Sequence, residues 1–220
     1  MTTGIVSSTP KPAAPDEPRR FEPGTLGWTA ADLDDPAIER EWLKGSYEIV
    51  EGVLTKIPPA YFAGGNAAFN LMVLLKAYST ARGLDYRLAP EGEIVIDPVR
   101  LPRADAVLLT PEDQRRQDEA VRLTGRPDPK RTRILVPPTL IIESVSPGHE
   151  LHDVQTKRTW YAEFGVPNYW IVDAYRQTLE CLRLDAAGNY VTDAHGTGDD
   201  VINPTAFPGL MINLRELWNG

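Results

Sequence analysis

A carboxylate directly follows three large aliphatic residues in the run Leu140-Ile141-Ile142-Glu143. A short, uninterrupted apolar run of this kind is typical of a strand that a sheet buries on both faces. The same burial would draw the Glu143 side chain partly out of water. Because an ionised carboxylate is costly to bury unless it is paired or binds a metal, we expect Glu143 to have a partner.

A second acid stands at the head of another apolar run, Ala104-Asp105-Ala106-Val107-Leu108. The small residues beside Asp105 leave room around its carboxylate. If the two strands lie side by side, Asp105 and Glu143 come together. Two neighbouring carboxylates favour either a shared proton or a hard divalent cation with oxygen ligands.

A lysine occupies the apolar face of the helix predicted over Glu150–Phe164. At about 100° per residue, one sector of that helix is apolar, and Lys157 falls inside it. The apolar residues of the sector are Leu151, Val154, Tyr161 and Phe164. Because lysines are rarely buried without a partner, we expect Lys157 to point at the sheet and to meet Glu143 and Asp105.

Proline and glycine divide the rest of the chain into short elements. Residues 1–24 hold five prolines and few apolar residues, which predicts a flexible tail, and residues 25–220 are predicted to form one domain. Helices are predicted at Thr29–Leu43 (broken near Pro36), Asn66–Arg82 and Leu214–Trp218, and a hairpin at Tyr47–Ile57. Further strands are predicted at Tyr86–Ala89, Glu93–Asp97, Ala104–Leu109, Thr139–Val145, Tyr169–Val172, Leu179–Leu184 and Tyr190–Thr192. Thr110–Pro138 has no long apolar period and is predicted to be a long polar insertion that is either mobile or functional.

Composition narrows the class of protein. The net charge of −8 argues against a protein that coats nucleic acid non-specifically, although a carboxylate site that binds cations is itself acidic. The single cysteine, Cys181, excludes an internal disulfide, and no export signal is evident, so we expect a cytoplasmic protein. No apolar run approaches the roughly 20 residues that cross a bilayer, so we expect no membrane association.

The order of several motifs resembles a known family. They are Tyr47-Glu48-Ile49-Val50-Glu51-Gly52, Arg103-Ala104-Asp105-Ala106-Val107, Glu143-Ser144-Val145-Ser146-Pro147, Asp153, Lys157, Tyr161 and Gly165-Val166-Pro167-Asn168-Tyr169-Trp170-Ile171-Val172-Asp173. From Tyr47 onward the chain resembles the Uma-two family, a branch of the PD-(D/E)XK superfamily of restriction-endonuclease-like proteins. The resemblance implies an α/β fold with a central mixed β-sheet flanked by helices and additional β-hairpins.

The resemblance also implies a site and a chemistry. Asp105 and Glu143, with the backbone carbonyl of Ser144, would bind Mg²⁺ or Mn²⁺, and the site would hydrolyse phosphodiester bonds, with DNA as the expected substrate. The superfamily signature has a lysine where this chain has Val145, so Lys157 would supply that lysine from the helix. Supporting roles fall to three further residues: Glu48, Asp153 and Tyr161. A homodimer is compatible with the superfamily.

Several basic residues lie between the two acidic strands. Arg126, Lys130, Arg131 and Arg133 could guide a phosphate backbone, and a solvated insertion is the equal alternative. His149, His152 and Cys181 are too few and too scattered for zinc. Asp153, one turn before Lys157, could orient that lysine or form a surface pair with it. Trp160, Tyr169 and Trp170 are expected in the core.

Two other functions stay open at this point. The fold could be a catalytically inactive nucleic-acid-binding or protein-interaction module in which the charged cluster only stabilises the domain. Alternatively, the site could hydrolyse a small phosphate ester. A fold alone does not decide among them, because one fold hosts many functions.

Overall fold

The computed structural model describes residues 20–57, 62–125, 133–145 and 152–219, with the backbone alone at 62–64, 152 and 153. Residues 1–19 of the predicted tail lie outside this range. The chain divides into two compact units, one comprising Met1–Pro59 and Asp97–Pro102, the other Ala60–Ile96 and Arg103–Gly220. That residues 25–220 act as one domain stays a prediction.

The first unit is built on a short hairpin. Strands β1 (Tyr47–Val50) and β2 (Val53–Lys56) pair antiparallel around Glu51-Gly52, as predicted. Both loop residues have positive φ, 48° and 77°, which is the geometry that two-residue hairpin turns require. Before the hairpin, a 3-10 helix (Ala30–Asp34) and α1 (Pro36–Trp42) follow each other, with the predicted break at Pro36. Thr29 and Asp32 form a capping box at the 3-10 helix.

The second unit centres on a six-stranded sheet. Its strands, in chain order, are β3 (Arg87–Glu93), β4 (Arg103–Leu109), β5 (Leu140–Ser144), β6 (Asn168–Asp173), β7 (Thr178–Leu184) and β8 (Tyr190–Thr197). The spatial order is the same as the chain order, and only β5 and β6 pair parallel. The prediction of a central mixed sheet is therefore confirmed. A small separate ladder joins β9 (Val201–Ile202) and β10 (Ile212–Asn213).

Helices cover both faces of this sheet. Alternate strand residues such as Ile142 and Trp170 pack with residues of α2 (Phe62–Ala81) and α5 (Leu214–Asn219) in one apolar cluster. The intervening residues, such as Ile141 and Tyr169, pack in a second cluster with Tyr161 of α4 (His152–Phe164). Because successive side chains of a strand point to opposite faces, the two clusters lie on opposite sides of the sheet. Helix α4 makes the crossover that the parallel pair β5–β6 requires.

The prediction of two separate strands before Ala104 is wrong. The structure has a single strand, β3, where two strands were predicted at Tyr86–Ala89 and Glu93–Asp97. Pro90 did not end the strand, because β3 lies at the edge of the sheet, where a missing N–H is tolerated. Beyond Glu93, Ile94 forms only an isolated bridge with Ile134.

The polar insertion predicted over Thr110–Pro138 contains a helix that the sequence patterns did not predict. Helix α3 spans Pro111–Leu123, with Thr110 and Asp113 forming a capping box at its start. Asp113 is buried and also accepts hydrogen bonds from the backbone N–H (3.1 Å) and the hydroxyl of Thr139. The helix is thus fixed by polar contacts instead of an apolar stripe. Among the described residues, no helix combines the length and apolar character needed to cross a membrane.

Candidate active site

Two adjacent strands bring the predicted acids to the same level of the sheet. Strands β4 and β5 pair antiparallel, with Ala106 opposite Ile142. The next step along this register places Asp105 opposite Glu143. Directly opposed residues of antiparallel strands extend to the same face, so both carboxylates belong to the face that α4 covers.

Glu143 is held by two side chains of α4. The ammonium of Lys157 lies 3.4 Å from Glu143 Oε1 and 3.5 Å from Oε2. The hydroxyl of Tyr161 donates a 2.7 Å hydrogen bond to Oε1. Lys157 and Tyr161 are four residues apart and therefore lie on the same side of the helix. The placement of Lys157 against Glu143 agrees with the helical phase of the sequence.

This pair is almost completely withdrawn from water. Glu143 and Lys157 are each 6% exposed, and Tyr161 is 0% exposed. Lys157 also donates a hydrogen bond of 3.2 Å to the backbone carbonyl of Arg103, at the start of β4. Burial of two charges is costly, and it is offset only where the pair is close and further hydrogen bonds satisfy it, as they do here. The lysine is thereby fixed at the point where β4, β5 and α4 meet.

Asp105 is held by a different partner. Its Oδ2 accepts hydrogen bonds from the backbone N–H (2.6 Å) and the hydroxyl (2.5 Å) of Ser144, the residue after Glu143. Asp105 is partly exposed. In the described part of the chain, Oδ1 of Asp105 has no hydrogen-bond donor.

The donor set suits a hard divalent cation. Mg²⁺ prefers oxygen ligands and is commonly held by one or two protein carboxylates, with water and substrate oxygens completing its shell. Asp105 and Glu143 are two such carboxylates on neighbouring strands. No cluster of three or more histidine, cysteine, aspartate or glutamate side chains suited to a metal occurs among the described residues.

A sequence profile described as "Uma2: Putative restriction endonuclease" matches residues 39–215, most of the chain. The chain belongs to the Uma2 family. This is the Uma-two family that the motif order predicted.

A solved structure shares the fold of this Uma2 chain. It is described as a putative nuclease belonging to DUF820, from Anabaena variabilis, and it superimposes with a TM-score of 0.60. The two sequences are 15% identical over 80% of this chain and 91% of the other, a level at which the likeness shows the fold alone. No protein with curated function matches the chain.

One of the predicted substrate-binding cations of the Uma2 chain lies in an ion-pair network. Arg133 Nε is 3.0 Å from Glu93 Oε2, and the Arg133 side chain is 14% exposed. Arg103 lies 3.6 Å from Glu93 and 3.7 Å from Glu91. The network therefore adjoins the site through Arg103, whose carbonyl accepts from Lys157. The other three predicted cations, Arg126, Lys130 and Arg131, lie outside the described residues.

The remaining predicted site residues lie in several parts of the fold. Glu48 is buried on β1 in the first unit. The side chains of Asp153 and His152, and all of His149, lie outside the description. Cys181 is buried within the sheet core, and Trp160, Tyr169 and Trp170 are buried as predicted. The catalytic roles of Asp105, Glu143 and Lys157 stay predictions. So do the supporting roles of Glu48, Asp153 and Tyr161.

The sequence patterns did not predict two contacts of the site. Ser144 was predicted to act only through its carbonyl, whereas its N–H and hydroxyl hold Asp105. The carbonyl of Arg103 was not predicted as an acceptor for Lys157. The serine next to Glu143 could have indicated the contact between Ser144 and Asp105. The contact between Lys157 and the Arg103 carbonyl depends on how α4 packs against β4.

Proposed function

We propose that this Uma2 chain is a metal-dependent endonuclease that hydrolyses phosphodiester bonds in DNA, with Asp105, Glu143 and Lys157 as its catalytic residues. The observation that carries the proposal is the buried contact of Lys157 with Glu143, on the strand next to Asp105. A buried charge cluster in a soluble domain is often replaceable by apolar residues without loss of stability, so its presence favours a functional reason. Membership of a family whose description reads "Putative restriction endonuclease" supports the same function.

In this proposal Asp105 and Glu143 would hold Mg²⁺ or Mn²⁺, with the carbonyl of Ser144 as a further oxygen donor. When bound, such a cation lowers the pKa of a coordinated water and neutralises charge on the phosphate. Oδ1 of Asp105 is the oxygen that Ser144 leaves available. Glu143 is kept in place by Tyr161.

Lys157 supplies a fixed positive charge. Its ammonium is held between Glu143 and the Arg103 carbonyl, and the two contacts restrain its position. It would orient the attacking water or stabilise negative charge that develops on the phosphoryl oxygens. The water oxygen forms the new bond to phosphorus and gives up a proton to solvent, while the bond to the leaving oxygen breaks and solvent protonates that oxygen. No covalent intermediate with the protein is required.

Substrate contacts are proposed for the basic segment. Arg126, Lys130, Arg131 and Arg133 would contact the DNA backbone, with Glu48 and Asp153 supporting the site. Because each phosphate contact releases condensed counterions, cleavage should weaken steeply as salt rises. A homodimer and a cytoplasmic location stay predictions.

The test is cleavage of supercoiled plasmid DNA by the purified full chain. Wild type is expected to nick the plasmid with Mg²⁺ or Mn²⁺ and to stop when EDTA removes the metal. Asp105→Asn and Glu143→Gln keep the shape of each side chain and remove its charge, and each should lower the rate by at least about 100-fold.

The matched control is Glu119→Gln. Glu119 lies on α3, where it pairs with Arg122 on the surface, so this variant should cleave like wild type. Equal cleavage by all four proteins would place the activity elsewhere. Wild-type DNA binding without cleavage under any metal would instead support the inactive binding module, and cleavage of a small phosphate diester alone would support the phosphate-ester hydrolase.

A further inference from the structure

Among the described residues, Ser144 alone makes the two hydrogen bonds that the Asp105 carboxylate accepts. Ser144 donates its backbone N–H at 2.6 Å and its hydroxyl at 2.5 Å, and both donors converge on Oδ2. Ser144 is the last residue of β5 and directly follows Glu143. The two strands that carry the acids are therefore joined at their ends by a side chain as well as by the backbone ladder.

This arrangement makes the two oxygens of Asp105 unequal. Two donors fix Oδ2 and restrict rotation of the carboxylate, whereas no donor in the described part of the chain engages Oδ1. A carboxylate free to rotate would lose conformational freedom on binding a cation. A carboxylate already oriented by hydrogen bonds binds its cation more tightly.

We propose that the Ser144 hydroxyl is a positioning group that orients Asp105 so that Oδ1 is the oxygen offered to the divalent cation. The inference rests on the proposed function, because it assumes that Asp105 binds metal. Ser144 itself need not touch the cation through its hydroxyl. Its effect is on affinity for the metal more than on the chemical step.

The test is titration of the metal-free full chain with Mn²⁺ by isothermal calorimetry. Ser144→Ala removes the hydroxyl and keeps the backbone donor, so the affinity for Mn²⁺ should fall about tenfold, the lower end of the range for such supporting groups. Ser144→Thr retains a hydroxyl and should recover most of the affinity. Thr159→Ala, which removes an exposed hydroxyl of α4, is the control and should bind like wild type.

A second readout separates positioning from simple structural support. Plasmid cleavage by Ser144→Ala should need a higher Mg²⁺ concentration for half-maximal rate and approach the wild-type rate at saturating Mg²⁺. A merely structural hydroxyl would lower the melting temperature of the metal-free protein and leave Mn²⁺ affinity unchanged. That result overturns the inference.

Different results would overturn the role of Ser144 and the proposed nuclease function. If wild type binds Mn²⁺, Asp105→Asn abolishes the binding and Ser144→Ala binds as tightly as wild type, only the role of Ser144 is wrong. If wild type neither binds Mn²⁺ nor cleaves DNA, the proposed function is wrong and the inference is overturned with it.

Discussion

The ammonium of Lys157 lies 3.4 Å from Oε1 of Glu143, and both side chains are almost fully buried. The lysine comes from a helix and the acid from the strand that precedes it in the chain. Because α4 is the crossover between the parallel strands β5 and β6, any change that moves the helix also moves the lysine. The site and the fold therefore depend on the same packing.

Removing one member of this pair should destabilise the protein. Lys157→Met leaves the Glu143 charge buried without its cation, which typically costs about 3–5 kcal/mol. In the double variant Lys157→Met/Glu143→Gln no charge is left, so part of that loss should be recovered. Urea unfolding of wild type, both single variants and the double variant measures the coupling. Strictly additive losses would show that the two charges do not interact.

The hydroxyl of Tyr161 should contribute more than an ordinary tyrosine hydroxyl. Tyr161→Phe removes a hydrogen bond to the Glu143 carboxylate, and bonds to charged groups contribute about 1.5–3 kcal/mol. Tyr190→Phe is the matched comparison, because the Tyr190 hydroxyl donates to the neutral carbonyl of Val166 at 2.8 Å. Its loss should be about 0.5–1.5 kcal/mol. Denaturant midpoints in the reverse order would contradict a charged Glu143.

Asp113 should add an acid-sensitive contribution to stability. Burial alone would raise the pKa of its carboxyl, but hydrogen bonds from Thr139, Thr110 and Arg116 outweigh burial and lower it. A lowered pKa in the folded state gives stability that is present above the unfolded value of about 3.9 and is lost as pH falls through the folded value.

The variant Asp113→Asn isolates this contribution. It should be less stable than wild type at pH 7, and the difference between the two proteins should shrink as pH falls below about 4. Thermal unfolding across that pH range makes the comparison. A difference that stays constant down to pH 2.5 would mean that the ionised carboxylate is not the stabilising form.

The thiol of Cys181 should be unreactive in the folded protein. Burial, and then the nearby charges of Asp193 and Glu180, raise the pKa of its thiol, and the residue is 0% exposed. Since the thiolate is the reactive form, a chromogenic disulfide reagent at pH 8 should modify the native chain only as it unfolds. Rapid modification of the chain without denaturant would contradict the burial of β7. Because Cys181 is the only cysteine of the sequence, all thiol modification that is measured occurs at this residue.

The sequence predicted the strands of the site because burial and charge conflict there. Glu143 follows three aliphatic residues, and Lys157 lies on an apolar helix face, so each charge conflicts with its apolar neighbours. In the structure the two charges pair with each other. The sequence predicts this contact because periodicity specifies which side of a helix or strand a residue occupies. The order of motifs shared with the Uma-two family indicated that Asp105, Glu143 and Lys157 belong to one site.

Other elements could not be found in the same way. Helix α3 has a polar sequence with no apolar period to indicate it, although Thr110, Pro111 and Asp113 carry the capping pattern. The hold of Ser144 on Asp105 depends on the side-chain geometry at the end of the β4–β5 ladder. Sequence patterns describe faces and periods, whereas such contacts follow from tertiary packing.

The most direct test of the central claim is the rate of plasmid cleavage by Lys157→Met at saturating Mg²⁺. Loss of one preorganised charge at a reacting centre typically costs about 100- to 1,000-fold, and the account predicts a loss in that range. Lys76→Met, an exposed lysine on α2, is the control and should cleave like wild type. Circular dichroism verifies that both variants are folded under the assay conditions. A folded Lys157→Met protein that cleaves at the wild-type rate would contradict the assignment of this lysine to the active site.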